Sequence, residues 1–287
     1  MSIVVPTFEA SAEVISRVSS VKGICFDIDD TFSSHGKITD EAFTALWSLK
    51  RAGYWLVPIT GRPAGWCDHF ARFWPVDAVI GENGAFAFFM EKGVRKREDT
   101  PHGSTSDKLK TQIGYLEQKI LARFPHAKWA SDQAYREFDL AIDFCEDVEP
   151  WTRAQVDELL GLCHGLGAYA KLSSIHVNAW FGDYDKQAGF KHWLETVAPR
   201  LAEGREVPAW NEWLFIGDSP NDEPLFKSFD LSVGVANLKN YLDRVQHAPK
   251  WITASESGAG FAEMAKVMLT SSFGRRGTPG DLSAARK

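Results

Sequence analysis

Near its N-terminus the chain runs Gly23-Ile24-Cys25-Phe26 straight into Asp27-Ile28-Asp29-Asp30-Thr31, and this junction restricts the fold more than any other stretch. An apolar run this short, ended by carboxylates, reads as a buried strand whose carboxyl end opens on a polar crevice. Three acids in four residues repel one another unless they share a cation. Oxygen donors of this kind suit Mg²⁺, which binds through one or two carboxylates and leaves room for phosphate oxygens. Side-chain alternation along an extended chain puts Asp27 and Asp29 on one side and returns Ile28 to the core. Taken alone, the segment reads equally well as an acidic turn after a strand.

The same grammar recurs downstream. Thr39 and Asp40 start a helix, and Ala42, Phe43, Leu46 and Leu49 keep helical spacing up to the stop at Gly53. Residues 54–59 predict a second buried strand, ending in Thr60-Gly61-Arg62-Pro63, with Pro63 in the first turn of a helix over 64–74. Residues 76–80 predict a third strand, ending in Gly81-Glu82-Asn83-Gly84. Alternating strands and helices with polar strand ends imply the α/β class, with a doubly wound, mostly parallel sheet covered on both faces. Ligands of such sheets lie outside the carboxyl ends of the strands. That rule gathers the Asp27 cluster, Thr60 and Asn83 around one crevice. Thr60-Gly61-Arg62 offers a hydroxyl, a glycine for close approach and amides at a helix start, which together suit an anion.

From about residue 86 the rhythm changes. A hairpin is expected over 85–98 around Lys92-Gly93, followed by a helix at 107–124 and strands at 127–130 and 138–144. A second helix at 152–164 precedes strands at 168–172 and 175–180. Helix–strand–strand, twice over, predicts an inserted α+β cap at 87–180, with 1–86 and 181–270 forming the core. Residues 271–287, rich in Gly, Ser and Arg, read as a disordered tail. The core rhythm resumes with a helix at 187–197, opened by Lys186, and a strand at 213–216 ending in Gly217-Asp218-Ser219-Pro220-Asn221-Asp222. Asp218 is thus a second acidic strand end, Asp222 lies one helical turn on, and Lys186 reads either as a fixed charge for a phosphate or as an ordinary surface lysine. Further strands at 231–235 and 251–252 and a helix at 261–269 close the core. Within the cap, His176 and Asn178 alternate with Ile175 and Val177 and are expected to face the crevice. Trp66 and Trp180 are candidates for stacking on a sugar ring. Gly258-Ala259-Gly260 has Glu263 where a dinucleotide loop needs its third glycine, so that reading is set aside.

Composition excludes several classes. With 287 residues, 44% hydrophobic and 24% charged, the chain is an ordinary globular protein. A net charge of −6 and no long basic run argue against nucleic acid and anionic membranes as partners. No apolar stretch reaches the roughly 20 residues of a membrane span, and the N-terminus lacks the form of a secretory signal. Four scattered cysteines without paired spacing suit a reduced, cytoplasmic protein.

The ordered set Asp27-Ile28-Asp29-Asp30-Thr31, Thr60-Gly61-Arg62, Lys186 and Gly217-Asp218-Ser219-Pro220-Asn221-Asp222 resembles the four motifs of the haloacid dehalogenase superfamily. Glu82-Asn83-Gly84, Asp185-Lys186-Gln187-Ala188 and the placement of the insert are similar to the class IIB, Cof-like sugar-phosphate phosphatases. Thr60-Gly61-Arg62 matches the sucrose-phosphate phosphatases, and the Gly-Asp-Ser-Pro-Asn-Asp form the mannosyl-3-phosphoglycerate phosphatases. The resemblance implies a phosphatase for a small phosphorylated metabolite such as a sugar phosphate. Asp27 would be the nucleophile and Asp29 the general acid and base. Asp27, the Asp29 backbone carbonyl and Asp218 would hold Mg²⁺, with Asp222 beside them. Thr60, Gly61, Lys186 and Asn221 would hold the phosphoryl group, while Arg62, Asn83, His176 and Asn178 would bear on specificity. Two alternatives share the aspartyl-phosphate. A phosphomutase returns the phosphoryl group to its substrate, and a signalling receiver module is a shorter, non-enzymatic domain without an insert.

Overall fold

The computed structural model describes residues 5–101 and 106–272. Numbering elements in chain order, strands β1 (Gly23–Phe26), β2 (Trp55–Pro58), β10 (Trp213–Gly217), β11 (Ser232–Gly234) and β12 (Trp251–Ile252) form a parallel sheet ordered β12-β11-β10-β1-β2. Every residue of these strands is buried, as strands covered on both faces must be. Alternation sorts them cleanly. Ile24, Phe26, Leu214 and Ile216 join the apolar cluster under helices α1 (Ala12–Val18), α2 (Asp40–Arg51), α3 (Ala64–Phe73) and α9 (Ser257–Ser272). Cys25, Trp213 and Phe215 join the opposite cluster with α6 (Lys186–Thr196) and α8 (Glu223–Ser228). The chain leaves β1 toward β2 on one side and returns at β10 on the other, so the carboxyl ends of β1 and β10 form the switch-point crevice.

The hairpin β4 (Phe86–Glu91) and β5 (Val94–Asp99) turns through Lys92 and Gly93, both at positive φ. The sequence rhythm places its start at the beginning of the cap, yet it pairs with β3 (Val79–Gly81), which bridges to the end of β2 at Ile59–Ile80. Ala87 and Phe89 enter the core cluster of Phe190, Trp193 and Trp213, so the hairpin packs with the core. Phe86 and Phe88 of β4 bury the other face in the first cluster while β5 stays exposed or half-buried, and strand periodicity cannot assign either buried face to a particular neighbour.

A separate antiparallel sheet contains β6 (Lys128–Trp129), β7 (Asp139–Asp143), β8 (Tyr169–Leu172) and β9 (His176–Trp180), in the order β6-β7-β9-β8. Helices α4 (Asp107–Arg123) and α5 (Arg153–Gly165) cover one face. Leu116, Ile120, Leu140, Ile142, Val156, Leu159, Val177 and Ala179 form its own apolar cluster. The other face carries Asp139, Asp143, His176 and Asn178. Gly258, Ala259 and Gly260 lie inside α9. That helix also includes Ser271 and Ser272, so the expected tail does not begin at 271; the remainder of 271–287 lies outside the described residues. No helix among the described residues is long and apolar enough to cross a membrane.

Candidate active site

β1 and β10 run parallel and in register, Phe26 opposite Ile216, which delivers Asp27 and Asp218 side by side at the sheet end. Asp222 follows on the short 3-10 turn Pro220–Asp222. One carboxylate oxygen from each of Asp27, Asp218 and Asp222 lies within 4.8 Å of the others, and all three residues are buried. The first residue of α6, Lys186, reaches in from the opposite wall. Its Nζ donates at 2.7 Å to both Asp27 Oδ1 and Asp222 Oδ1. Asp222 Oδ2 also accepts from the backbone N–H groups of Asp218 and Ser219. This works only because residue 217 is glycine, since a Cβ there would collide with that carboxylate. Thr31 and Asn237 donate to Asp218.

Three buried carboxylates against one lysine leave the pocket electrically incomplete. Burial pushes Asp27 up to about 7, with Lys186 opposing and Asp222 adding to the rise. Burial and then Asp27 and Asp222 push Asp218 up as well. Burial alone would lower Lys186, yet Asp222 and Asp27 more than offset it and hold its ammonium charged. A hard divalent cation matches both the oxygen donor set and the missing charge, so Asp27, Asp218 and Asp222 fit Mg²⁺. The sequence reading takes the Asp29 backbone carbonyl into this set and keeps Asp222 in a supporting role, whereas the Asp222 carboxylate lies within the cluster itself. The Asp29 carboxylate turns to Arg62, accepting from Nε at 3.0 Å and Nη2 at 2.8 Å.

Thr60, Gly61, Asn83 and Asn221 converge beside the cluster. Thr60 Oγ1 accepts from the Arg62 N–H, and Asn221 Nδ2 donates to Asn83 Oδ1 at 3.2 Å. Asn83 Nδ2 is buried without a hydrogen-bond partner among the described residues and borders Gly61, where a Cβ would stand 3.3 Å from it. Glu82 and Asn83 both hold positive φ, 42° and 55°. Gly84, at φ 108°, lets the Asp185 carbonyl press against its Cα and so seats α6 and Lys186.

The cap is clasped onto this crevice. Arg62 donates to Asp132 at 3.2 Å and to Glu146 at 2.7 Å. Arg136 donates to the Gly61 carbonyl at 2.8 Å and pairs with Asp132 and Asp139. Glu82 accepts from the N–H groups of Glu137, Phe138 and Asp139. Asp143 organises the next loop by accepting from the amides of Cys145, Glu146 and Asp147. Burial would raise Glu146, but His176 and Arg62 outweigh it and pull it down to about 2. Asp132, Arg136, Asp139, Glu146 and this use of Glu82 were missed from the sequence. The one available signal was the Asp-Leu-Ala-Ile-Asp alternation of β7, which puts Asp139 and Asp143 on the polar face.

Beside Asp29 the clasp encloses a cavity of about 310 Å³, lined by Asp30, Ser33, His35, Arg62, Cys145, Glu146, Ser174 and others. His176 and Asn178 are not on its wall. His176 Nε2 stands 2.9 Å from Glu146 Oε2, and Asn178 donates to Asp139 at 2.9 Å while its Oδ1 borders Gly61. Trp180 is buried in a stack between Tyr169 and Tyr184. Trp66 lines a different cleft with His69 and Tyr135.

Residues 24–122 match the family model of haloacid dehalogenase-like hydrolases. No curated protein matches the chain in sequence. Among solved structures, a Thermoplasma acidophilum protein is similar with a TM-score of 0.65 at 15% identity, covering 87% of this chain and 98% of its own. The sucrose-phosphatase of Synechocystis sp. PCC6803, solved with sucrose and phosphate, gives 0.59 at 17%, covering 86% and 97%. The C-terminal domain of the trehalose-6-phosphate phosphatase of C. albicans gives 0.65 at 11%, covering 95% and 100%. The sequence match over β1 to α4 and the fold shared with these structures over most of the chain point to the same kind of protein.

Proposed function

We propose that this chain is a Mg²⁺-dependent phosphatase acting on a small phosphorylated metabolite, a sugar phosphate, through an aspartyl-phosphate. The observation that carries the reading is the buried set Asp27, Asp218, Asp222 and Lys186 at the ends of β1 and β10. Phosphoryl transfer asks a protein for positioning and charge neutralisation above all. Asp27 attacks phosphorus, and Asp29 protonates the departing alcohol and then takes a proton from water. Lys186, Thr60, the Gly61 amide and Asn221 hold the phosphoryl oxygens, and the unpartnered Asn83 Nδ2 adds a further donor. Asp27, Asp218 and Asp222, with the Asp29 carbonyl, would hold Mg²⁺, which when bound neutralises charge on the phosphoryl oxygens.

In this reading residues from about 107 to 180 act as a lid, which closes to exclude water and to read the alcohol. Unpaired thiols at all four cysteines support a reducing, cytoplasmic setting. The test is phosphate release from a panel of sugar, polyol, nucleotide and cofactor phosphates, with and without Mg²⁺ and without any bisphosphate activator. Asp27→Asn should abolish release, because an amide cannot attack phosphorus. Turnover within about tenfold of wild type would remove Asp27 from its role. Release only in the presence of a sugar bisphosphate would point to a mutase.

A further inference from the structure

The cavity beside Asp29 is where an alcohol leaving Asp27 would sit, because Asp29 forms its wall two residues from the proposed nucleophile. Its volume, about 310 Å³, lies at the lower end of the roughly 300–1,000 Å³ range of small-molecule sites. Three carboxylates line it, from Asp29, Asp30 and Glu146, and Arg62 is the only arginine or lysine among its described lining residues. That guanidinium is already committed. Nε and Nη2 donate to Asp29, Nη1 to Asp132 and Nη2 again to Glu146. Glu146 is held in place by the Asp143 loop and by His176. With the lid closed, a second anionic group on the substrate would meet three carboxylates, with His35 and no uncommitted arginine or lysine among the described lining residues. Hydroxyl groups would meet hydrogen-bond acceptors.

We infer that Glu146 is a specificity-determining residue of this site, which helps to reject substrates whose leaving alcohol carries a carboxylate or a second phosphate in favour of uncharged ones. The inference rests on the phosphatase reading and narrows it. Repulsion against the wrong ligand is as effective a source of specificity as attraction to the right one.

The experiment compares kcat/KM, with Mg²⁺, for matched pairs of neutral and anionic sugar or polyol monophosphates, beside a small aryl phosphate. Neutral members should lead by about 100-fold. Glu146→Gln should close that gap by about tenfold, mainly through a lower KM for the anionic members. Glu146→Asp should keep the gap. Anionic substrates turned over as well as neutral ones by the wild type would overturn the inference without touching the phosphatase reading. So would an unchanged gap in a folded Glu146→Gln protein. If even the aryl phosphate releases nothing, the phosphatase reading has failed and this inference falls with it.

Discussion

Lys186 is a buried ammonium 2.7 Å from two carboxylates. Such a group is held by geometry, because each charge has been removed from water and only its partners compensate. Lys186→Met should therefore destabilise the metal-free protein by about 3–5 kcal/mol, read as a lower urea midpoint with an unchanged slope. The carboxylates carry the complementary expectation. Mg²⁺ binding the native state alone should raise its stability by about 2.7 kcal/mol at 100-fold over Kd. A thermal melt should show that gain in the wild type and lose it in Asp218→Asn. A gain that survives in Asp218→Asn would move the cation elsewhere.

At the level of elements, the 3-10 turn Glu82–Gly84 joins three bodies: β3 before it, α6 against Gly84, and the amides that open β7. Burial raises Glu82 from 4.5 to about 8, with Asp139 adding to the rise and Arg136 and the cap amides opposing it. A raised value means that the folded protein keeps a proton the unfolded chain has released. The associated stability is complete below about pH 4.5 and is lost as pH rises through about 8. Melting temperature should fall across that window, and Glu82→Gln, which cannot ionise, should flatten the slope. An identical slope in both proteins would place the proton on another group.

Across the whole molecule, core and cap meet through a polar clasp beside the apolar contact of Phe86 with Phe138. Arg136 anchors the cap to the Gly61 carbonyl, and Arg62 ties Asp29 to Asp132 and Glu146. If residues 107–180 act as the proposed lid over a sugar phosphate, loosening that clasp should matter most for such a substrate. Arg136→Ala should lower kcat/KM for the preferred sugar phosphate by about 10–100-fold, in line with misplacement effects on positioned substrates. A small aryl phosphate should lose less. Equal losses on both would assign Arg136 to folding alone.

Much of this protein is local in origin and can be read along the chain. A four-residue apolar strand ending in Asp27, the Thr60-Gly61-Arg62 turn, Lys186 at a helix start and Asp218 at a second strand end are readable because alternation, capping and strand ends are properties of neighbouring residues. Tertiary structure alone decided which side chains those groups meet. Strand periodicity could not say that the β4–β5 hairpin packs with the core, because both faces of β4 are apolar enough to be buried and alternation does not name the neighbour that buries them. Nor could it turn Asp29 toward Arg62 or bring Asp132 and Glu146 to the same guanidinium. Those partners lie from 33 to 84 residues from Arg62 along the chain, and no local rule acts over such separations. His176 and Asn178 stand on the polar face that alternation implied, yet they meet Glu146 and Asp139 there and leave the cavity wall to Cys145, Glu146 and Ser174. A period of two selects a face of a sheet, whereas the residue that lines a cavity is selected by the packing of one domain against another.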